Sequence, residues 1–399
     1  MPLDFSLSPQ IARLVATTSQ FIDQVVLPVD DQFDGDIAAA GGDVLRKRLQ
    51  DAARQAGVFA VHAPVEFGGL GLGMGECAAI FEAAGYSLFG PLALNIAAPD
   101  EGNVHLLAHV ATPEQKERFL RPLVNGTVRS AFAMTEPAPG AGSDPALLTT
   151  RAERRSSQWT ITGCKNFITG ADGAAFFIVM ARTSGEVGQV GGATMFLVDA
   201  TAPGVHVGRH LNTMDLSMVG GHCEVRFDGV TVSDDDILGE VDGGFRYAQV
   251  RLGPARMTHV MRWLGAATRA HTTAAEYVAE RQAFGGRLGD LGMVQQMLAD
   301  NEIDIAATRA LLQRACWELD QGSRAAHATS AAKTFGAEAI HRVVDRSMQM
   351  CGGLGVTQEL PIAKIAREVR PFRIYDGPSE VHRWALAKRT VRVAEAKRQ

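Results

Sequence analysis

The residues of this 399-residue chain that could do chemistry are few, because the common catalytic constellations are missing. Its eleven histidines are scattered, and no HExxH occurs, so His62, His105 and His109 read as isolated side chains and no metal site is expected. There is no GxSxG elbow and no P-loop, which disfavours hydrolase and nucleoside triphosphatase chemistry. What remains is polar groups in turns. Met134-Thr135-Glu136-Pro137, followed by Gly142-Ser143-Asp144, offers main-chain N–H groups and small hydroxyls at a strand end, although the same residues also make a capped turn. Arg281 carries a permanent charge that can hold a phosphate bidentately, or that can simply complement a helix dipole. Asp376-Gly377-Pro378 places a carboxylate in a turn. Gly68 to Gly73 is rich in glycine but does not fit GxGxxG, and no strand pattern precedes it, so the dinucleotide fingerprint is absent.

Three textures of secondary structure must position these groups. Residues 1–129 read as helical: Ser8-Pro9 is an N-cap followed by proline at N1, and Thr112-Pro113-Glu114-Gln115 repeats the signal with a capping-box glutamine. Residues 130–240 carry short β patterns. Gln158–Thr169 and Ala193–Asp199 are rich in β-branched and aromatic residues, and Cys223, Val225 and Phe227 alternate with Glu224, Arg226 and Asp228. Residues 241–399 return to a helical period, with Met257, Val260, Met261 and Leu264 on one face and Ile305, Leu312, Cys316 and Leu319 on another. Loops are predicted at 284–292 and 351–355. The expected fold class is therefore α+β, mainly α, with three domains at 1–129, 130–240 and 241–399.

Composition narrows the class further. Apolar residues at 46% and charged residues at 21% describe a globular chain, and a net charge of −5 leaves no footprint for nucleic acid. The five cysteines are widely spaced, with no CxxC, which points to a reducing compartment. The start has neither a basic nor an apolar leader region, and the apolar run 174–181 falls far short of the ~20 residues of a membrane helix, so it reads as a buried strand. A soluble, cytoplasmic protein is expected.

Five blocks in order resemble the acyl-CoA dehydrogenase family. They are Phe132-Ala133-Met134-Thr135-Glu136-Pro137 with Gly142-Ser143-Asp144; Lys165-Asn166-Phe167-Ile168-Thr169; Glu280-Arg281-Gln282-Ala283-Phe284-Gly285; Gln349-Met350-Cys351-Gly352-Gly353-Leu354-Gly355; and Ile374-Tyr375-Asp376-Gly377. The runs 251–256 and 376–382 resemble the subgroup related to human members ten and eleven. The resemblance implies a helical domain, a central β-barrel-like domain and a C-terminal four-helix bundle. It also implies FAD as cofactor, an acyl-CoA as substrate, an electron-transfer flavoprotein as acceptor, and a homodimer or homotetramer.

The site residues follow from the same resemblance. Phe132, Met134, Thr135, Gly142 and Ser143 would hold the flavin and pyrophosphate, with two residues more between Pro137 and Gly142 than in the commonest pattern. Phe167, where tryptophan is common, would flank the isoalloxazine, and the Thr169 hydroxyl would reach its N5. Arg281, Phe284, Gln349, Gly352 and Gly353 would complete the cofactor site of a neighbouring subunit. Asp376, where most members carry glutamate, would be the catalytic base, its pKa raised by burial. Some members carry the base near Gly253-Pro254-Ala255, but that stretch here has no acid. Arg256, Tyr375 and Gly377 would meet the substrate, Arg256 and Arg251 through the CoA pantetheine or phosphates; solvation at the surface is the alternative for both arginines. A nitroalkane oxidase-like enzyme, an acyl-CoA oxidase and a flavin-free binding subunit are the alternatives on the same fold.

Overall fold

The computed structural model describes residues 6–398; the first five residues, part of the start read above as lacking a leader, lie outside it. The N-terminal helices include α1 (Pro9–Phe21), α2 (Gly42–Ala56), α3 (Met74–Ala84) and α4 (Asp100–Val110). Local chemistry sets their ends. Ser8 Oγ accepts from the Ile11 amide at 3.3 Å, and Thr112 and Gln115 form the expected capping box. The first turn of α3 is closed from a distance: the Met74 and Gly75 amides donate to the Asp320 carboxylate at 2.7 and 2.8 Å. In the glycine-rich loop a Cβ on Gly69 would stand 2.0 Å from the Ala63 carbonyl, so here chain approaches chain.

An eight-stranded sheet follows, built from β1 (Ser130–Ala133), β2 (Arg151–Arg155), β3 (Gln158–Thr169), β4 (Phe176–Arg182), β5 (Ala193–Asp199), β6 (Val205–His210), β7 (His222–Ser233) and β8 (Ile237–Leu238). The strand order is β6-β7-β3-β2-β4-β5-β8, with β1 parallel to β4. Every residue of β4 is buried, as its unbroken apolar run requires. The β3–β7 ladder slips between Lys165 and Ile168, and in that slip Phe167 takes φ +56° and stands 60% exposed. The slip turns the ring away from the core.

The chain closes with α5 (Gly244–Glu280), α6 (Gly292–Asp320), α7 (Ala326–Met350), α8 (Ile362–Val369) and α9 (Ser379–Ala396). α5, α6 and α7 pack on one another, and α9 lies on α7, which makes the four-helix bundle. Met257, Val260 and Met261 have no exposure, as their spacing predicted. The buried side chains of α1 to α3 and of the bundle form one continuous cluster, so the two helical parts share a core. The predicted loop at 284–292 is more ordered than its sequence suggests. Gln282–Ala283 (β9) and Gly286–Arg287 (β10) pair across Phe284 and Gly285, both at positive φ, a two-residue hairpin without the usual Asn-Gly signal.

Candidate active site

Asp376 lies in the turn between the end of α8 and the start of α9, at φ +54°, with Gly377 at φ +92°. A Cβ on Gly377 would come within 2.7 Å of His382 Nε2, so only glycine fits. Three side chains tie down the turn's carbonyls. Arg256 Nε donates to the Asp376 carbonyl at 2.9 Å, His382 Nε2 donates to it at 3.1 Å, and Lys333 Nζ donates to the Gly377 carbonyl at 2.7 Å. His382 Nδ1 in turn meets Ser330 Oγ at 3.1 Å. Burial pushes Lys333 down to about 8 and His382 down to about 4, so His382 stands as a neutral imidazole at pH 7. This is more than an ordinary exposed Asp-Gly turn: three side chains hold its carbonyls and the Asp376 Oδ2 is buried.

The Asp376 carboxylate meets α5. His259 Nε2 stands 3.3 Å from Oδ2, and the His259 ring packs against Tyr375 and Phe372 at centroid distances of 4.8 and 5.7 Å. Arg262 Nη2 lies 2.8 Å from His259 Nδ1. Arg251 is buried, donates to Asn103 Oδ1 at 2.8 Å and stacks over the Phe132 ring at 4.3 Å. Two sequence expectations change here. Burial does act to raise the Asp376 carboxyl, but His259, Arg251 and Arg256 outweigh it, and the group sits below the usual carboxylate range. Arg251 is buried, not solvated at the surface, and is turned to the α4 side of the site, while Arg256 is partly buried and gives its Nε to the base's own carbonyl. Tyr375 likewise has its hydroxyl engaged, accepting from Trp263 Nε1 at 2.5 Å.

The strand-end block is organised by a buried ion pair, Lys165 Nζ to Glu136 Oε1 at 3.0 Å, with no exposure on either side chain. Burial alone would raise Glu136; Lys165 and the Thr149 and Thr150 donors overcome it and hold the carboxyl at about 2. The same carboxylate accepts from the Ala141, Thr149 and Thr150 amides, and so folds the segment that exposes Gly142 and Ser143. Lys165 also donates to the Met134 carbonyl, and Thr135 Oγ1 donates to the Asn166 carbonyl at 2.5 Å, which joins the first two sequence blocks. The Thr169 hydroxyl is 2.9 Å from His222 Nδ1, and His222 Nε2 is 2.7 Å from Asp215 Oδ2. Because the Asp215 carboxylate only accepts, His222 Nε2 carries a proton.

A second cluster lies at the other end of α5. Arg281, Tyr277, Leu288, Gln349, Gly352, Gly353 and Leu354 line an open cleft of about 600 Å³, and Gly352 has φ +57°. This unites four of the five residues that the third and fourth blocks supplied; Phe284, 90% exposed, stands on the hairpin tip outside it. Arg281 is exposed, and no Cβ placed on Gly352 or Gly353 would meet another atom of the chain. An open, cationic, glycine-floored cleft fits the phosphate and adenine of FAD. Arg256 and Arg281 are 25 residues apart on one helix, about 37 Å at ~1.5 Å per residue, so cleft and carboxylate belong to two regions of the chain.

His259, Lys333, His222 and Asp215 were not singled out from sequence, and Glu136 and Lys165 stood in the first two blocks without a role of their own. Arg256, His259 and Arg262 did leave a trace: polar residues at three-residue spacing among the buried Met257, Val260 and Met261 mark a polar stripe inside a core helix.

A helical layer, a sheet and a helical bundle that bring a carboxylate to a fixed turn and leave a cationic cleft define a family of oxidoreductases. The chain belongs to the acyl-CoA dehydrogenase family: the N-terminal domain profile matches residues 8–127, the middle domain 131–230 and the C-terminal domain 242–391. It is 35% identical to the Mycobacterium tuberculosis protein named "Probable acyl-CoA dehydrogenase FadE2", over 97% of this chain and 96% of that one. Acyl-CoA dehydrogenase family member 11 of Homo sapiens is 32% identical over 95% of this chain, which spans 50% of that protein. The butyryl-CoA dehydrogenase structure from Megasphaera elsdenii superposes with a TM-score of 0.86 at 26% identity, covering 98% of this chain and all of that one. Among the described residues no helix is long and apolar enough to cross a membrane.

Proposed function

We propose that the chain oxidises the α,β C–C bond of an acyl-CoA thioester to the trans-2-enoyl-CoA, with Asp376 as the base that removes the α-proton. The observation that carries this reading is the fixed carboxylate. Asp376 is held by three donors to its turn, is kept ionised by its neighbours, and has no hydrogen bond to either carboxylate oxygen among the described residues. A carboxylate in that state accepts a proton and does not donate one. Bound FAD would supply the hydride acceptor, so that two hydrogens leave the substrate as a proton and a hydride. The Asp376 backbone N–H is proposed to help stabilise the thioester enolate.

Phe132, Met134, Thr135, Gly142, Ser143, Phe167 and Thr169 are the proposed flavin-side contacts. Arg281, Phe284, Gln349, Gly352 and Gly353 are proposed to serve the cofactor of a second copy, because the cleft is too far from Asp376 to share one FAD with it in the same chain. The division at 129/130 and 240/241, an oligomer of two or four copies, a cytoplasmic location and an electron-transfer flavoprotein as acceptor belong to the same proposal. Tyr375 and Gly377 are proposed to meet the substrate end of the turn; Tyr375 accepts from Trp263 Nε1 and keeps its own O–H to donate.

The test is anaerobic addition of an acyl-CoA panel to the purified flavoprotein. Bleaching of the flavin by one chain-length class is expected, and Asp376→Asn should keep its FAD but not bleach. Bleaching of that variant at the wild-type rate removes Asp376 as base. Reduction by a nitroalkane and by no thioester would replace the dehydrogenase reading, and rapid reoxidation by oxygen would make the enzyme an oxidase.

A further inference from the structure

We propose that His259 is a positioning residue for Asp376: its Nε2–H fixes the direction of Oδ2 and reserves Oδ1 for the substrate's α-proton. The proposal rests on the reading of Asp376 as the base. Oδ2 is buried and lacks an aligned hydrogen bond, and a buried carboxylate oxygen needs a donor. The His259 Nε2, 3.3 Å away, is the donor that faces it, although the contact is not aligned as a hydrogen bond in this structure.

The donor's identity is fixed by a third residue. A guanidinium has no acceptor, so Arg262 Nη2 at 2.8 Å from His259 Nδ1 forces Nδ1 to be the unprotonated nitrogen. The one proton of the neutral ring is then on Nε2, facing Asp376. Arg262 is itself anchored, donating to the Ile96 carbonyl and standing 3.7 Å from Glu101 Oε2. Burial and Arg262 both disfavour a second proton on His259. Tyr375 and Phe372 keep the ring from turning.

The other charged groups around Asp376 do not take this role. Arg256 of α5 gives its Nε, Lys333 of α7 its Nζ and His382 of α9 its Nε2 to main-chain carbonyls, and Arg251 is turned to Asn103 and the Pro99 carbonyl. Glu101 of α4 stands behind Arg262 and Thr258. They contribute field without aiming a donor at Oδ2. Aspartate is one methylene shorter than glutamate, so the direction of its free oxygen has to be set at the carboxylate itself, and His259 does this.

The experiment compares His259→Phe with His259→Gln in the FAD-loaded enzyme. Phenylalanine keeps the ring contacts and removes the donor; glutamine returns an N–H near the position of Nε2. In His259→Phe the acid limb of kcat/KM should move up by about one pH unit or more, with kcat down roughly 10- to 100-fold and KM for the thioester little changed. His259→Gln should restore most of both. An acid limb unmoved in His259→Phe, or a glutamine variant no better than the phenylalanine one, overturns the proposal. Asp376→Asn separates the two readings: full turnover there removes the base, whereas a dead Asp376→Asn with an unmoved His259→Phe removes only the role of His259. Should His259→Phe not fold, ¹⁵N-histidine NMR of the wild-type protein decides. A neutral Nε2–H ring at pH 6 is expected, and an Nδ1–H or doubly protonated His259 overturns the proposal.

Discussion

Glu136 and Lys165 make a pair in which neither side chain reaches water, so each depends on the other for its charge. Removing one partner leaves an uncompensated buried ion, which costs about 3–5 kcal/mol, whereas replacing both with apolar residues of similar size costs far less. Glu136→Ala should therefore lower stability by about 3–5 kcal/mol in urea denaturation, and the double variant Glu136→Met, Lys165→Met should lie closer to wild type. Glu136 also holds the Ala141, Thr149 and Thr150 amides, so the single variant should lose FAD more readily as the segment that carries Gly142 and Ser143 loosens. A double variant as unstable as Glu136→Ala would place the stability in those amide bonds and not in the ion pair.

At the scale of elements, Glu368 of α8 joins the helical part to the segment before β7: its carboxylate accepts from the Leu216 and Ser217 amides at 2.5 and 3.2 Å and from Ser217 Oγ at 2.6 Å. Burial pushes it up to about 7, against those hydrogen bonds and with a smaller upward push from Asp215. An unfolded glutamate titrates near ~4.3. Below that pH both states are protonated and the contribution to stability is whole. Between there and 7 the folded state keeps a proton the unfolded state has lost, so stability falls as pH rises, and above 7 the loss is complete. The melting temperature of wild type should therefore drop from pH 5 to pH 8 by more than that of Glu368→Gln, and equal drops would mean that Glu368 stays ionised throughout. This junction shows what sequence reading reaches. Ser8, Thr112 and the stripe Met257-Val260-Met261 announce helices because caps and 3.6-residue spacing are local. Gln158–Thr169 and Ala193–Asp199 announce strands for the same reason. The blocks around Met134, Arg281, Gln349 and Asp376 were legible as family patterns. The partners Glu368–Ser217, His259–Asp376 and Asp215–His222–Thr169 were not, since each except Asp215–His222 joins residues more than fifty positions apart and all depend on side-chain direction. The Phe284-Gly285 hairpin was missed because a phenylalanine stands at positive φ where the turn type favours asparagine.

At the scale of the whole molecule, α5 separates the two halves of the proposed site. Asp376 meets its residues 251–262, and the cleft of Arg281 and Gln349 opens at its far end, about 37 Å away at ~1.5 Å per residue. If each cofactor takes its flavin contacts from one copy and its phosphate contacts from another, a damaged cleft and a damaged base can rescue each other. Take Arg281→Glu, which keeps Asp376, and Asp376→Asn, which keeps the cleft. Each homo-oligomer should be inactive, the first for want of FAD and the second for want of a base. Co-expressed and randomly paired, half of the dimers are hybrids, and in each hybrid one site combines an intact Asp376 with an intact Arg281 from the other copy. Activity should return to about a quarter of wild type per chain, in proportion to the hybrid fraction. Purifying the hybrid through two different tags should raise it to about half, since one site in two is then whole. A site confined to a single chain predicts no recovery at any mixing ratio, because every chain present then lacks either its phosphate contacts or its base. The recovered fraction thus reads out directly whether the open cleft of one chain completes the active site of the next.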